Sequence, residues 1–301
     1  MMNMARRAAA QWPRSIATSS LHLHARGIGA GKVAKSEILQ NRDPQLIDVI
    51  SRLQNLGTGQ LCDADKVINT HKSSSKDDSS LRGYEGLNLM DTDVMKLRHK
   101  PGDHRVMVGV ARTVQLPRPN DFLAVLHALN ELSAGDVLVV NTSGSMRAVA
   151  GSLFTTEARR RGVSGIVVDG PIRDIDDLDC FAYSTKITPY AGTVQHVGEG
   201  IDTSPVQCAG ITVNPGDIIF ADSDGVLCGS IESFSACLHD AEHITAAEQR
   251  LIEGMKVGVS LHSMTNFEEH LAARKEGRES SLTFKDLHTI KFKGIDAVEV
   301  G

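Results

Sequence analysis

The segment Gly165–Leu178, GIVVDGPIRDIDDL, constrains the fold of this chain more than any other stretch. Three apolar β-branched residues, Ile166, Val167 and Val168, run into Asp169-Gly170-Pro171. A short apolar run closed by Gly-Pro reads as a buried strand ending at Asp169. Strands of this kind belong to α/β folds, where ligands bind beyond the C-terminal ends of the strands. Arg173 and Asp174 stand side by side at that end. A guanidinium offers a rigid fork of donors to a carboxylate or a polarised ketone. The neighbouring carboxylate offers a hard oxygen to Mg²⁺ or Mn²⁺. The pair suits a metal-assisted reaction on a small oxo-acid. It would serve equally as a surface ion pair, or Asp174 as a cap on the next helix, and the residues alone leave these readings open.

The pattern on either side agrees with α/β architecture. Leu46, Ile47, Val49, Ile50 and Leu53 recur at helical spacing within 43–56, and Gly57-Thr58-Gly59 ends that helix. Thr58 is placed to cap a second helix through residues 60–64, and the Ser-rich stretch 71–81 reads as an exposed loop. Residues 107–116 alternate like a strand. Asp121 begins a helix with Phe122, Val125, Leu126 and Leu129 on its apolar face, and 136–140 is a buried strand. A Gly/Ser loop then leads into a helix over 151–161. Further strands are expected at 211–213, 217–220 and 225–228, and an amphipathic helix at about 237–256. The segments GDVLVVNTSG from Gly135 and GDIIFADSDG from Gly216 echo each other, each a Gly-Asp turn opening a strand. Alternating strands and helices indicate one α/β domain over 43–258, with 259–301 as a peripheral extension.

The first 36 residues are of another kind. They hold six basic residues, no acid and several serines, the composition of a transit peptide, and of a mitochondrial one in particular. Without them, 26 Lys and Arg face 37 Asp and Glu, a net charge of about −11. That balance argues against nucleic-acid binding, which needs a basic footprint. No apolar run approaches the roughly 20 residues of a membrane span. Five cysteines, an odd number without CxxC spacing, fit a reducing compartment such as the matrix.

Several ordered pieces of the chain resemble the RraA-like family: LCDA at 61–64, NDFLAVLHALNELSAGDVLVVNTSG, AVAGSLFTTEARRRGVSGIVVDGPIRDIDDL, and GITVNPGDIIFADSDGVL. The family includes class II aldolases acting on 4-hydroxy-4-methyl-2-oxoglutarate and the regulator of ribonuclease E. The resemblance implies a single α/β/α core assembled as a ring-shaped trimer or hexamer, with active sites between subunits. It also implies that backbone amides of Gly151, Ser152, Leu153 and Phe154 hold a substrate carboxylate, that Arg173 contacts the substrate, and that Asp174 binds the metal. Asp177 matches an acid common after the pair. Its expected role is to orient a water that shuttles protons. Two departures from the family pattern stand out. Ser152 occupies a place where catalytic members tend to carry an acid, and Phe154 one where a small aliphatic is common.

The chemistry follows from the residues. Cleaving a C–C bond beside a 2-oxo acid leaves an enolate, whose charge a divalent cation and Arg173 both stabilise. A helix opening at Gly151 presents free N–H groups to an anion, although Gly144 and Gly151 also read simply as turn residues. Cleavage of 4-hydroxy-4-methyl-2-oxoglutarate and decarboxylation of oxaloacetate both pass through pyruvate enolate. The alternative is a regulatory binding protein without catalysis. A Schiff-base aldolase needs a desolvated lysine, and Lys186 is the nearest candidate. Asp176, Asp177 and Asp179 also suit the start of a short helix. HDAEH at 239–243 imitates a zinc-protease pattern, ADSDG at 221–225 a calcium loop and GIGAGK at 27–32 a nucleotide loop. Each reads better as ordinary structure.

Overall fold

The computed structural model describes residues 42–74, 84–97, 106–194 and 204–285. The expected transit peptide with its GIGAGK motif, and residues 75–81 of the expected loop, lie outside the described residues.

The chain opens with α1 (Pro44–Leu53), and Asp43 accepts a hydrogen bond from the Gln45 N–H at its start. It continues into α2 (Thr58–Ser74), which is longer than the spacing predicts and takes in residues 71–74 of the expected loop. Two short strands follow, β1 (Asn88–Leu89) and β2 (Met95–Lys96). Next come β3 (Met107–Gln115), α3 (Leu123–Glu131), β4 (Asp136–Asn141), α4 (Ser152–Arg160) and β5 (Gly165–Ile172). A 3-10 turn at Ile175–Asp177 leads into β6 (Phe181–Ile187). The rest comprises β7 (Val206–Cys208), β8 (Ile211–Val213), β9 (Ile218–Ala221), β10 (Val226–Gly229), α5 (Ile231–Lys256) and α6 (Phe267–Lys275).

Eight strands form one sheet in the order β1-β10-β9-β3-β4-β5-β6-β2. Strands β3 to β6 are parallel, and the strands outside them pair antiparallel. On one face, Val114, Leu138, Val140, Ile166 and Val168 pack against Val125, Leu129 and Ala158 of α3 and α4. Farther along that face, Val108, Ile218, Phe220 and Leu227 meet α1, α2 and α5 through Leu53, Leu61, Phe234 and Leu238. On the other face, Met107, Val137, Val139, Val167 and Tyr183 are covered by Val206, Cys208 and Val213 of the β7–β8 hairpin and by Met90 and Val94. The single α/β domain is therefore layered as helices, sheet and hairpin. Burial on both faces explains the unbroken apolar runs of β4 and β5.

Several sequence expectations change in tertiary context. Strand β3 is buried on both faces apart from Arg112 and the half-buried Gln115, so it does not alternate. Strand β5 does not stop at Asp169. It passes through a bulge between Val168 and Pro171 and re-pairs with β6 as Pro171–Lys186 and Ile172–Ile187. Gly170, at φ +148°, makes the bulge possible, because a Cβ there would strike the Thr142 side chain at 2.3 Å. Strand β6 carries too little apolar character at its exposed end to be read from sequence. Leu126 faces solvent rather than the core. Helix α5 begins at Ser230, whose hydroxyl caps the Ser233 N–H, well before residue 237.

The two echoed Gly-Asp turns flank β3 on opposite sides, opening β4 and β9. Gly135 and Gly216 both have positive φ, and Asp136 and Asp217 each accept the N–H three residues back, from Ser133 and Asn214. Asp136 also meets Arg42 and Arg112 and is fully buried. The ADSDG segment is a turn between β9 and β10, and Asp222 caps α2 by accepting the Thr58 N–H and hydroxyl at 2.8 Å each.

Candidate active site

The C-terminal end of β5 and the N-terminus of α4 meet because two backbone bonds tie their loops together. Val149 N–H donates to the Pro171 carbonyl at 3.1 Å, and Arg173 N–H to the Ala150 carbonyl at 3.2 Å. A third strip lies alongside, with Ala148 N–H donating to the Tyr190 carbonyl and Gly192 N–H to the Ala148 carbonyl, both at 2.8 Å. Between these strips lies a cavity of about 180 Å³, the size for a small acid, lined by Phe122, Ala148–Gly151, Leu153, Phe154, Ala191, Arg173 and Asp174. Its walls are apolar and its charged end is the Arg-Asp pair. Phe122 and Phe154 pack edge to face at 5.7 Å.

Asp174 adopts a left-handed backbone, φ 56° and ψ 41°, a strained state that Asp tolerates better than most residues. The turn swings its carboxylate back over α4. There the Ser152 N–H and hydroxyl both stand 3.2 Å from Oδ2, and Arg173 Nε lies 3.4 Å from the same oxygen. Asp174 thus does cap a helix, but α4 across the cleft and not the turn that follows it. Gly151 makes this approach possible. A Cβ at that position would lie 2.6 Å from Asp174 Oδ2 and 3.0 Å from Arg173 Cγ.

The structure therefore brings Gly151, Ser152, Leu153, Phe154, Arg173 and Asp174 to one place. Ser152, standing where an acid is common, donates to Asp174. Leu153 projects into solvent and Phe154 is half buried. Asp177 is exposed on the 3-10 turn and does not line the cavity. Asp179 holds the loop to α4, accepting from Thr156 at 2.9 Å and pairing with Arg159. Phe122, Ala148 and Ala191 carry no sequence signal of a site, because they arrive from separate loops.

The donor set can be tested for a divalent cation. Asp174 keeps Oδ1 clear of the Ser152 contacts, and its side chain is 34% exposed, so one hard oxygen is available for a cation that retains waters. Among the described residues there is no group of three or more His, Cys, Asp or Glu arranged as a closed metal cage. Asp174 fits Mg²⁺ or Mn²⁺ completed by water and substrate oxygens, and does not fit a tetrahedral zinc site.

The rival motifs resolve structurally. His239 and His243 stack at 4.5 Å on α5, while Glu242 between them makes a two-pronged pair with Arg52 at 2.7 and 2.8 Å. That pairing holds the Glu242 carboxyl below its ordinary range. Lys186 is exposed and lines a different, wider cleft with Asp91, Asp93 and Asp169, so it lacks the desolvation a Schiff-base lysine needs.

Fold and site together define an α/β protein with a small, largely apolar pocket closed by an Arg-Asp pair at the C-terminal edge of its parallel strands. The chain belongs to the RraA-like family, whose model, Aldolase/RraA, matches residues 58–228. A relative from Halalkalibacterium halodurans, named "Putative 4-hydroxy-4-methyl-2-oxoglutarate aldolase", is 41% identical over 126 residues, 40% of this chain and 58% of that protein. The chain thus spans less than two thirds of that relative. A protein of the same name from Burkholderia mallei is 37% identical over 128 residues, covering 42% of this chain and 76% of the relative. The fold is shared with Streptomyces coelicolor RraAS2, described as an unusual member of the RNase ES inhibitor RraA family. That structure has a TM-score of 0.51 and 24% identity over 69% of this chain and 96% of its own.

Proposed function

We propose that this protein is a divalent-metal-dependent carbon–carbon lyase that cleaves 4-hydroxy-4-methyl-2-oxoglutarate into two pyruvates and decarboxylates oxaloacetate. The observation that carries this reading is the Arg173–Asp174 pair closing an apolar pocket beside the N-terminus of α4. At that helix end the Ser152 N–H is taken by Asp174 and the Phe154 N–H by the Gly151 carbonyl, so the N–H groups of Gly151 and Leu153 receive the substrate carboxylate, where the helix dipole favours negative charge. The Arg173 guanidinium donates to the 2-oxo oxygen. As the C3–C4 bond breaks, its electron pair moves into the adjacent ketone and charge grows on that oxygen, so the hydrogen bond strengthens in the transition state. A divalent cation held by Asp174 supplies Lewis-acid stabilisation of the same charge. Phe122 and Phe154 keep water from the reacting carbons. The proton lost from the C4 hydroxyl and the one gained at C3 are exchanged with solvent at the mouth of the pocket, since Asp177 stands outside it.

The test is pyruvate release from both substrates with Mg²⁺ or Mn²⁺, with EDTA, and with Asp174→Ala. The reading expects loss of activity in the last two. Equal rates in all three conditions would leave the regulatory binding protein as the better account. Borohydride with pyruvate should give no adduct at Lys186. Met146, Leu153 and Tyr190, all strongly exposed near the pocket, support self-association; the state proposed is a homotrimer or hexamer, which light scattering measures. The acid-free start of the chain supports delivery to the mitochondrial matrix, which cell fractionation tests.

A further inference from the structure

The charged end of the pocket accounts for one end of an oxo-acid, and its remaining walls carry no charge. A dicarboxylate laid along them would bring its second carboxylate to the open rim, where a cation favours it over a neutral end. One cation stands on the rim. Arg147 directly precedes Ala148, and its Nη1 lies 3.4 Å from the carbonyl of Ala191, so both its neighbours line the cavity. The guanidinium lies over the Tyr190 ring, 6.0 Å from the ring centre. Among the described residues it has no carboxylate partner.

The rim is also built to hold this residue in place. Asn120, itself in a left-handed conformation at φ 66°, accepts the N–H of Met146 at 2.8 Å and of Arg147 at 2.9 Å through its side-chain oxygen. The Asn120 N–H donates to Ser145 Oγ, and its carbonyl accepts the Thr193 N–H at 2.7 Å. Asn tolerates the left-handed region well, and its side chain thereby fixes the backbone from which the Arg147 side chain leaves.

We infer that Arg147 is a specificity-determining residue. It receives the distal carboxylate of the substrate and so selects 2-oxo acids with a carboxylate at both ends. The inference rests on the lyase reading above. Its test compares two substrates that share the reacting carbons, 4-hydroxy-2-oxoglutarate and 4-hydroxy-2-oxopentanoate, in which a methyl replaces the distal carboxylate. Kinetics are measured for the wild type, Arg147→Ala, Arg147→Gln and Arg147→Lys, with oxalate inhibition in parallel.

For Arg147→Ala and Arg147→Gln, KM for the dicarboxylate should rise roughly 10- to 100-fold, the size of a lost hydrogen bond to a charged group, with kcat within about threefold. The values for the oxopentanoate and the oxalate inhibition constant should stay unchanged, and Arg147→Lys should recover part of the loss. Unchanged KM for the dicarboxylate, or equal rises for both substrates, would overturn the assignment while leaving the lyase intact. A wild type that neither binds oxalate nor turns over either substrate would overturn the lyase reading itself.

Discussion

Gly151→Ala is the sharpest single perturbation of the site. The added methyl would sit 2.6 Å from Asp174 Oδ2, 3.0 Å from Arg173 Cγ and 3.4 Å from the Arg173 carbonyl. The nearest of these, Asp174 Oδ2, is the end of a side chain able to move, while Arg173 Cγ at 3.0 Å has to give only a few tenths of an ångström, so the fold survives and the carboxylate is displaced. The backbone at Gly151 is extended (φ −177°), so the dihedral adds no strain of its own. Displacing Asp174 breaks both donations from Ser152. Hydrogen bonds to a charged group contribute about 1.5–3 kcal/mol when protected. With the side chain 34% exposed, solvent screening reduces the pair together to about 1–2 kcal/mol. On the proposed reading, in which Asp174 holds the cation, losing the groups that support its carboxylate costs roughly 10- to 100-fold in affinity. Mn²⁺ affinity, read by electron paramagnetic resonance, should fall by that factor while thermal unfolding shifts only a few degrees. A variant that binds Mn²⁺ as tightly as the parent would refute the claim that this glycine exists to seat the carboxylate.

Other expectations are independent of the metal. Asp136→Ala leaves Arg42, Arg112 and the Ser133 N–H facing an empty buried position. The cost should be about 3–5 kcal/mol, a fall of roughly 10 °C in Tm for a domain this size, and calorimetry showing no shift would contradict it. The thiols of Cys208 and Cys237 are pushed up to about 12, chiefly by burial. The folded chain therefore keeps two protons that the unfolded chain releases above pH 9, near the ordinary thiol value. Their contribution is complete below that pH and declines as pH rises toward 12. Urea midpoints should drop between pH 9 and 11, and replacing both cysteines with alanine should flatten part of that slope, the remainder coming from Cys228, whose thiol burial likewise pushes up.

Much of the site is legible in sequence because its chemistry is local. Arg173 and Asp174 are adjacent, the glycine before α4 is a turn signal, and the Val-rich run before them marks a buried strand. The readings that failed did so where a neighbour set the outcome. Strand β5 crosses its own Gly-Pro because β6 and Thr142 shape the bulge around it. Leu126 fits the apolar period of α3 but lies where none of the described elements covers it. Ser152 was conspicuous only as a missing acid, and its bonds to Asp174 emerged once a left-handed turn had folded that carboxylate back over α4.

The amino-acid order by itself determined the α/β class, the family, and the charged pair that gives the pocket its chemistry, since periodicity, turn residues and adjacent side chains act over a few positions. Tertiary structure decided the shape of the cavity and what stands at its two ends. Its walls come from positions 122, 148–151, 154 and 191, joined only because the sheet order brings the loops after β3, β4 and β5 and the strip beyond β6 within backbone hydrogen-bonding distance.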